Sequence, residues 1–109
     1  MYTYKAVVTN VVDGDTVDVT VDLGFKIYTV QRIRLMGIDT PERGQPGYQE
    51  AKDRLIELVL NKEIILQTAK VSKFGYYLGL LIFEGTVITV NRTLLDENLA
   101  KPYDGGKKE

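Results

Sequence analysis

The chain has 109 residues, room for one hydrophobic core but not for two. Its 14 basic and 15 acidic residues leave a net charge of −1, which argues against gripping nucleic acid mainly through counterion release. There is no cysteine and no histidine, so disulfides, thiolate or imidazole metal sites and His-based catalysis are excluded. Any catalysis must use carboxylates, Arg, Lys, Tyr or a hard cation, and a bound divalent cation would add positive charge where a phosphate sits. No apolar run approaches the roughly 20 residues that span a bilayer. The N-terminus lacks the basic start and apolar block of a signal peptide, so an intracellular, monomeric protein is expected.

Residues 2–12, rich in Tyr, Val and Thr, read as a first strand, and Asp13-Gly14 is a turn signal. In "TVDVTVDLG" the residues Val17, Val19, Val21 and Leu23 alternate with Asp18, Thr20 and Asp22, the period of a strand with one wet face. Gly24 to Lys26 turn the chain into a third strand from about Ile27 to Ile38. There Ile33 and Leu35 share one face while Arg32 and Arg34 take the other. "DTPERGQPG" is a loop. The period then changes: Tyr48, Ala51, Leu55, Leu58 and Val59 predict a helix over about 47–60.

Two further strands are expected in "EIILQTAKV" and "YYLGLLIF", with Glu84-Gly85 as a hairpin turn into a short strand "TVITV". A second helix near 90–98 carries Leu94, Leu95 and Leu99, with Asn98 as a left-handed terminator. The class is mainly β with α (α+β). The order suits a small antiparallel barrel, a five-stranded OB-fold Greek key with one helix after strand 3 and one near the C-terminus. Residues 1–103 are expected to form a single domain, with 104–109 as a flexible tail.

Chemistry-bearing residues gather at strand ends. Asp15 opens the second strand and Asp39 closes the third, and antiparallel neighbours bring such ends together at one rim. Two hard carboxylates and a backbone carbonyl make a modest site for Ca²⁺ or Mg²⁺, completed by water or phosphate. Glu42 is near enough in sequence to activate a water as general base, and Arg34 could hold a phosphate by a bidentate pair. Each motif alone has a plainer reading. Asp-Gly is the commonest hairpin turn pair, and "DTPE" could simply start a helical turn.

Taken together, "VVDGDTV", "RLMGIDTPE", the following helix, "KFGYYLG" and "NRTLLDENLAKPY" resemble the thermonuclease family of staphylococcal-nuclease-like domains, from about Val8 to Tyr103. The compact size and the "PYDGGKK" ending look most like short phage or prophage members. The resemblance implies a Ca²⁺-dependent phosphodiesterase acting on DNA or RNA, with Asp15, Asp39 and the Thr40 carbonyl as metal ligands. It further implies Arg34 as a phosphate clamp and Glu42 as the general base. Lys73 and Phe74 match positions that contact the nucleotide, and Tyr76 matches that of a second clamp arginine.

A tyrosine at position 76 offers one neutral hydrogen bond in place of a planar cation. Arginines that stabilise phosphoryl transfer elsewhere contribute roughly 10³–10⁵ in rate, so the implied activity is weakened by about 4–7 kcal/mol. Arg43 or Arg32 could take over that role. The alternative is a catalytically impaired module, on the same fold, that binds nucleotide, nucleic acid or a protein.

Overall fold

The computed structural model describes residues 1–71 and 75–103. The elements are β1 (Tyr2–Asp13), β2 (Thr16–Asp22), β3 (Tyr28–Leu35), β4 (Ile38–Asp39), α1 (Tyr48–Val59), β5 (Glu63–Val71), β6 (Tyr77–Ile82), α2 (Val90–Asp96) and β7 (Lys101–Pro102). Five strands close a barrel in the order β1-β2-β3-β6-β5, while β4 and β7 form a separate two-stranded pair. This is the expected OB-type α+β architecture. None of the described helices is long and apolar enough to cross a membrane.

The barrel is mixed rather than antiparallel throughout, because β3 and β6 pair in parallel. Strand number is the reason. Around a closed ring of antiparallel neighbours directions must alternate, and with five strands one pair has to run the same way.

Alternation buries Val17, Val19 and Val21 from β2 and Ile33 and Leu35 from β3. In β1 the inward residues are Ala6, Val8 and Val11. A register shift between Val8 and Asn10 resets the phase, so Val11 still faces the core. Leu23 does not continue the buried face and is 46% exposed, because β2 ends at Asp22. Beyond it the chain turns through Phe25 and Lys26, both at positive φ (57° and 61°). That mirror-image turn matches the right-handed twist of the flanking strands.

The third strand also breaks earlier than expected. The Met36 N–H still donates to the Gly79 carbonyl (2.9 Å), but Gly37 then takes φ 82°, which ends β3 at Leu35 and starts β4 at Ile38. In α1, Tyr48, Ala51, Leu55 and Val59 are buried along one stripe, as the period predicts.

The short strand expected in "TVITV" is absent. Val87 is 93% exposed, and Thr89 instead caps α2, its hydroxyl accepting from the Arg92 N–H at 2.9 Å. Because β6 already lies between β3 and β5, it has no free edge for a hairpin partner. The helix ends earlier than the sequence suggests, at Asp96, and Asn98 terminates it in the left-handed region (φ 62°).

Asn91 locks α2 to the barrel. It is 3% exposed; its Oδ1 accepts from the Leu81 N–H (3.2 Å), and its Nδ2 donates to the carbonyls of Met36 (2.9 Å) and Gly79 (3.1 Å). One side chain therefore joins α2, β6 and the end of β3. Asn91→Ala leaves those backbone groups without that partner and is expected to cost about 2–4 kcal/mol, measured by urea unfolding.

Candidate functional site at the barrel rim

The rim is built where β1 turns into β2. Asp13 closes β1, and the two turn residues are Gly14 and Asp15, one step later than the Asp-Gly signal implies. Gly14 is required by space, not by φ. A Cβ there would lie 2.8 Å from the Ala51 Cβ and 2.9 Å from the Thr40 hydroxyl. The turn is thus pressed between α1 and the segment after β4. The Tyr48 hydroxyl donates to Asp13 (2.8 Å), tying the start of α1 to the end of β1. That bond, with burial second, raises the Tyr48 pKa.

Asp15 is nearly buried at 8% exposure. Its Oδ1 accepts from the Thr16 hydroxyl (3.0 Å) and its Oδ2 from the Thr40 N–H (3.1 Å), while its carbonyl accepts from the Leu35 N–H (2.8 Å). The carboxylate is therefore fixed by groups from β2 and from the stretch after β4. Arg34 faces it from the end of β3. Its Nη1 donates to the carbonyls of Leu35 and Ile38, both at 2.8 Å. With that edge anchored, Nη2 lies 3.3 Å from Asp39 Oδ1 and 3.5 Å from Asp15 Oδ2. The Tyr103 ring covers the guanidinium, 5.6 Å from its carbon.

Asp15, Arg34, Asp39 and Thr40 are thus brought to one point. Glu42 is exposed in the following loop, where its N–H donates to Gln45 Oε1 (3.3 Å). It lines, with Asp39, Thr40, Pro41, Gln45 and Lys101, an open groove of about 590 Å³. Lys73 and Phe74 lie outside the described residues.

Tyr76 is half-buried at the start of β6, with the Arg32 guanidinium carbon 5.8 Å from its ring centroid. Arg32 also forks onto Asp18, Nε to Oδ1 at 2.8 Å and Nη2 to Oδ2 at 3.2 Å. Arg43 is placed elsewhere, its guanidinium carbon 5.9 Å from the Tyr48 ring centroid.

The donor chemistry suits a hard divalent cation. Two carboxylates converge on a single atom of Arg34, and both are oxygen donors of the kind Ca²⁺ and Mg²⁺ prefer. Among the described residues no group of three or more acidic side chains is placed to hold a metal, so carbonyl, water or phosphate oxygens would complete the shell.

Three contributors escape a reading of the sequence. Tyr103 is the last residue of the expected domain and carries no assigned role, yet its N–H donates to the Gly37 carbonyl (2.9 Å) and its ring lies on Arg34. Lys101 pairs with Asp39 across β4 and β7, strands of two residues each, too short to show any periodicity. Thr16 holds Asp15 but looks like the first residue of an ordinary strand.

A family model described as staphylococcal nuclease homologue matches residues 32–109, a range that includes Arg34, Asp39, Thr40 and Glu42 and begins after Asp15. Micrococcal nuclease of Shigella flexneri is 33% identical over 107 residues, covering 92% of this chain and 59% of its own length. Protein ParB of Escherichia coli is 32% identical over 72 residues, 66% of this chain and 38% of its own. An uncharacterized 38.1 kDa protein of Capnoides sempervirens is 36% identical over 72 residues, 66% of this chain and 21% of its own. The chain thus spans 59% or less of the length of these relatives.

Two measurements check the geometry. Gly14→Ala forces Thr40 and α1 away from the turn and is expected to lower stability by about 1–3 kcal/mol in urea unfolding. The Arg32 fork, chiefly through its hydrogen bonds, holds the Asp18 pKa below its ordinary value of 3.8. The pair's stabilisation is fully present above that ordinary value and lost as pH falls through the lowered one. In Arg32→Gln the Asp18 midpoint, followed by carboxyl NMR, is expected to move back up.

Proposed function

The chain belongs to the family of staphylococcal nuclease homologues, and from that membership and the rim geometry we propose that it is a metal-dependent phosphodiesterase acting on DNA or RNA. The observation that carries the reading is Arg34. Two backbone carbonyls hold one edge of its guanidinium so that the other meets the carboxylates of Asp15 and Asp39.

Asp15, Asp39 and the main-chain carbonyl of Thr40 would hold the cation, Ca²⁺ or Mg²⁺. When bound, such an ion polarises a phosphoryl oxygen and makes an adjacent water more acidic. Glu42, exposed in the groove, would accept the proton of a water that attacks phosphorus, while the bond from phosphorus to the 5′ oxygen breaks and that oxygen leaves as a hydroxyl with a proton from solvent water. Arg34 donates to a non-bridging phosphoryl oxygen and balances the charge that develops there, its position fixed before substrate arrives. Thr16 and the Thr40 N–H keep the Asp15 carboxylate oriented.

Tyr76, at the position where the family resemblance places a second arginine, favours a second reading. On it the chain binds nucleotide, nucleic acid or a protein without efficient hydrolysis.

Cleavage of single-stranded DNA and RNA with and without Ca²⁺ separates the two. The enzyme reading expects slow cleavage that stops with a chelator and loses its metal response in Asp39→Ala. It also expects cleavage about 10²–10³-fold slower in Arg34→Gln. Glu42→Gln should bind substrate with little change while turning over poorly. Metal-dependent binding with no product, even at high protein concentration, would establish the second reading instead.

A further inference from the structure

Arg32 lies two residues before Arg34 on the same strand, so both side chains leave the outer face of the barrel, roughly 6.6 Å apart along β3. That interval is of the order of the step between successive phosphates in an extended single strand. Arg34 is half-buried at the rim among carboxylates, whereas the Arg32 side chain is 41% exposed.

The Arg32 side chain is also held by its neighbours. Its register partner across the sheet is Asp18, so the two side chains meet directly and fork together at 2.8 and 3.2 Å. Asp18 is itself braced, because Asn10 Nδ2 donates to its Oδ2 at 3.3 Å. Such a side-on fork engages Nε and Nη2, and the guanidinium also shares a hydrogen bond with the Tyr76 side chain, so a phosphate would meet its remaining N–H groups. On another side lies Tyr76, whose ring centroid is 5.8 Å from the guanidinium carbon. Asp18 and Tyr76 both push the Arg32 pKa upward, so its charge is permanent.

A long side chain held by a braced acid and an aromatic ring has already lost much of its rotamer entropy before any ligand arrives. Surface ion pairs contribute little to stability, so fold stability alone gives weak reason for this arrangement.

We propose that Arg32, held by Asp18 and Tyr76, is a second phosphate site, which takes the phosphodiester next to the one engaged at Arg34. The inference rests on the phosphodiesterase reading of the rim. Its consequence is a substrate class: a single strand with at least two consecutive phosphodiesters, preferred over an isolated mononucleotide ester. Asp18 offsets part of the Arg32 charge, so the site sets register along the strand more than it adds raw affinity.

The test is a binding experiment with Ca²⁺ in a Glu42→Gln background, so that ligand stays intact. Two short single-stranded oligonucleotides are compared, one with phosphodiesters throughout and one with a neutral methylphosphonate at the flanking linkage. In the parent, the neutral linkage is expected to weaken binding about tenfold. Arg32→Gln should bind the natural ligand as weakly as the parent binds the neutral one, with no further loss from the methylphosphonate. The slope of log K against log salt should become shallower by about 0.7, the value of one phosphate contact on a single strand. Arg32→Lys should restore the slope, and equal thermal midpoints would show that all variants fold alike.

Equal binding of the natural ligand by parent and Arg32→Gln, or a methylphosphonate penalty that persists in Arg32→Gln, would overturn the proposal. Failure of the parent to bind either ligand removes the rim reading and the second site together. Binding with the Arg32 signature, but no cleavage by the chain that retains Glu42, removes hydrolysis and leaves the second site standing.

Discussion

Five strands cannot close a ring with antiparallel neighbours alone, and the position of the one parallel pair governs the rest of the molecule. It falls between β3 and β6, with Ile33 opposite Tyr77 and Leu35 opposite Gly79. Tyr76 therefore arrives beside Arg32. Gly79 fits between Ile33 and Leu66, where a Cβ would lie 2.9 Å from each. Its carbonyl accepts from the Met36 N–H and from Asn91. Those bonds hold the end of β3 against β6 and α2, and Gly37 at φ 82° then swings the chain, so that Ile38 is buried and Asp39 returns to Arg34.

Charge at the rim follows from that geometry. Two carboxylates share one guanidinium, a local excess of one negative charge in a partly desolvated place. A phosphodiester would add another, which like-charge repulsion opposes. A divalent cation between the acids and the phosphate reverses that balance, and this is the electrostatic reason behind the proposed metal dependence. Arg34 is meanwhile kept from collapsing fully onto either acid, because its other edge is tied to the Leu35 and Ile38 carbonyls. The same restraint limits the reorganisation needed when a ligand arrives.

Much of this was legible in the residues. The alternation of Val17, Val19 and Val21, the helical stripe of Tyr48, Ala51, Leu55 and Val59, and the Asn98 terminator are local patterns, and local physics enforces them. Readings that failed depended on distant partners. "TVITV" has strand propensity, but β6 has no open edge to receive it. Leu23 continues a period-2 face that the turn at Phe25 and Lys26 cuts off. Tyr103 closes the expected domain with no role legible in the sequence, and the Gly37 carbonyl and the Arg34 guanidinium give it one.

By itself, the sequence determined the OB-type class, the exclusion of histidine and cysteine chemistry, and the residues able to serve at a hard-cation rim. It could do so because side-chain chemistry and hydrophobic period are properties of single residues and short windows. Beyond the rim expected of Asp15, Asp39 and Arg34, tertiary structure decided which charges meet. Arg32, Arg34 and Arg43 are alike as cations. The fold sends Arg34 to Asp15 and Asp39, Arg32 to Asp18 and Tyr76, and Arg43 to Tyr48. The meetings with Asp15, Asp18 and Tyr76 are set by strand register and by the parallel closure, which join residues well separated along the chain. Asp39 and Tyr48, by contrast, lie close in sequence to their arginines and reach them through the turn at Gly37 and the loop before α1.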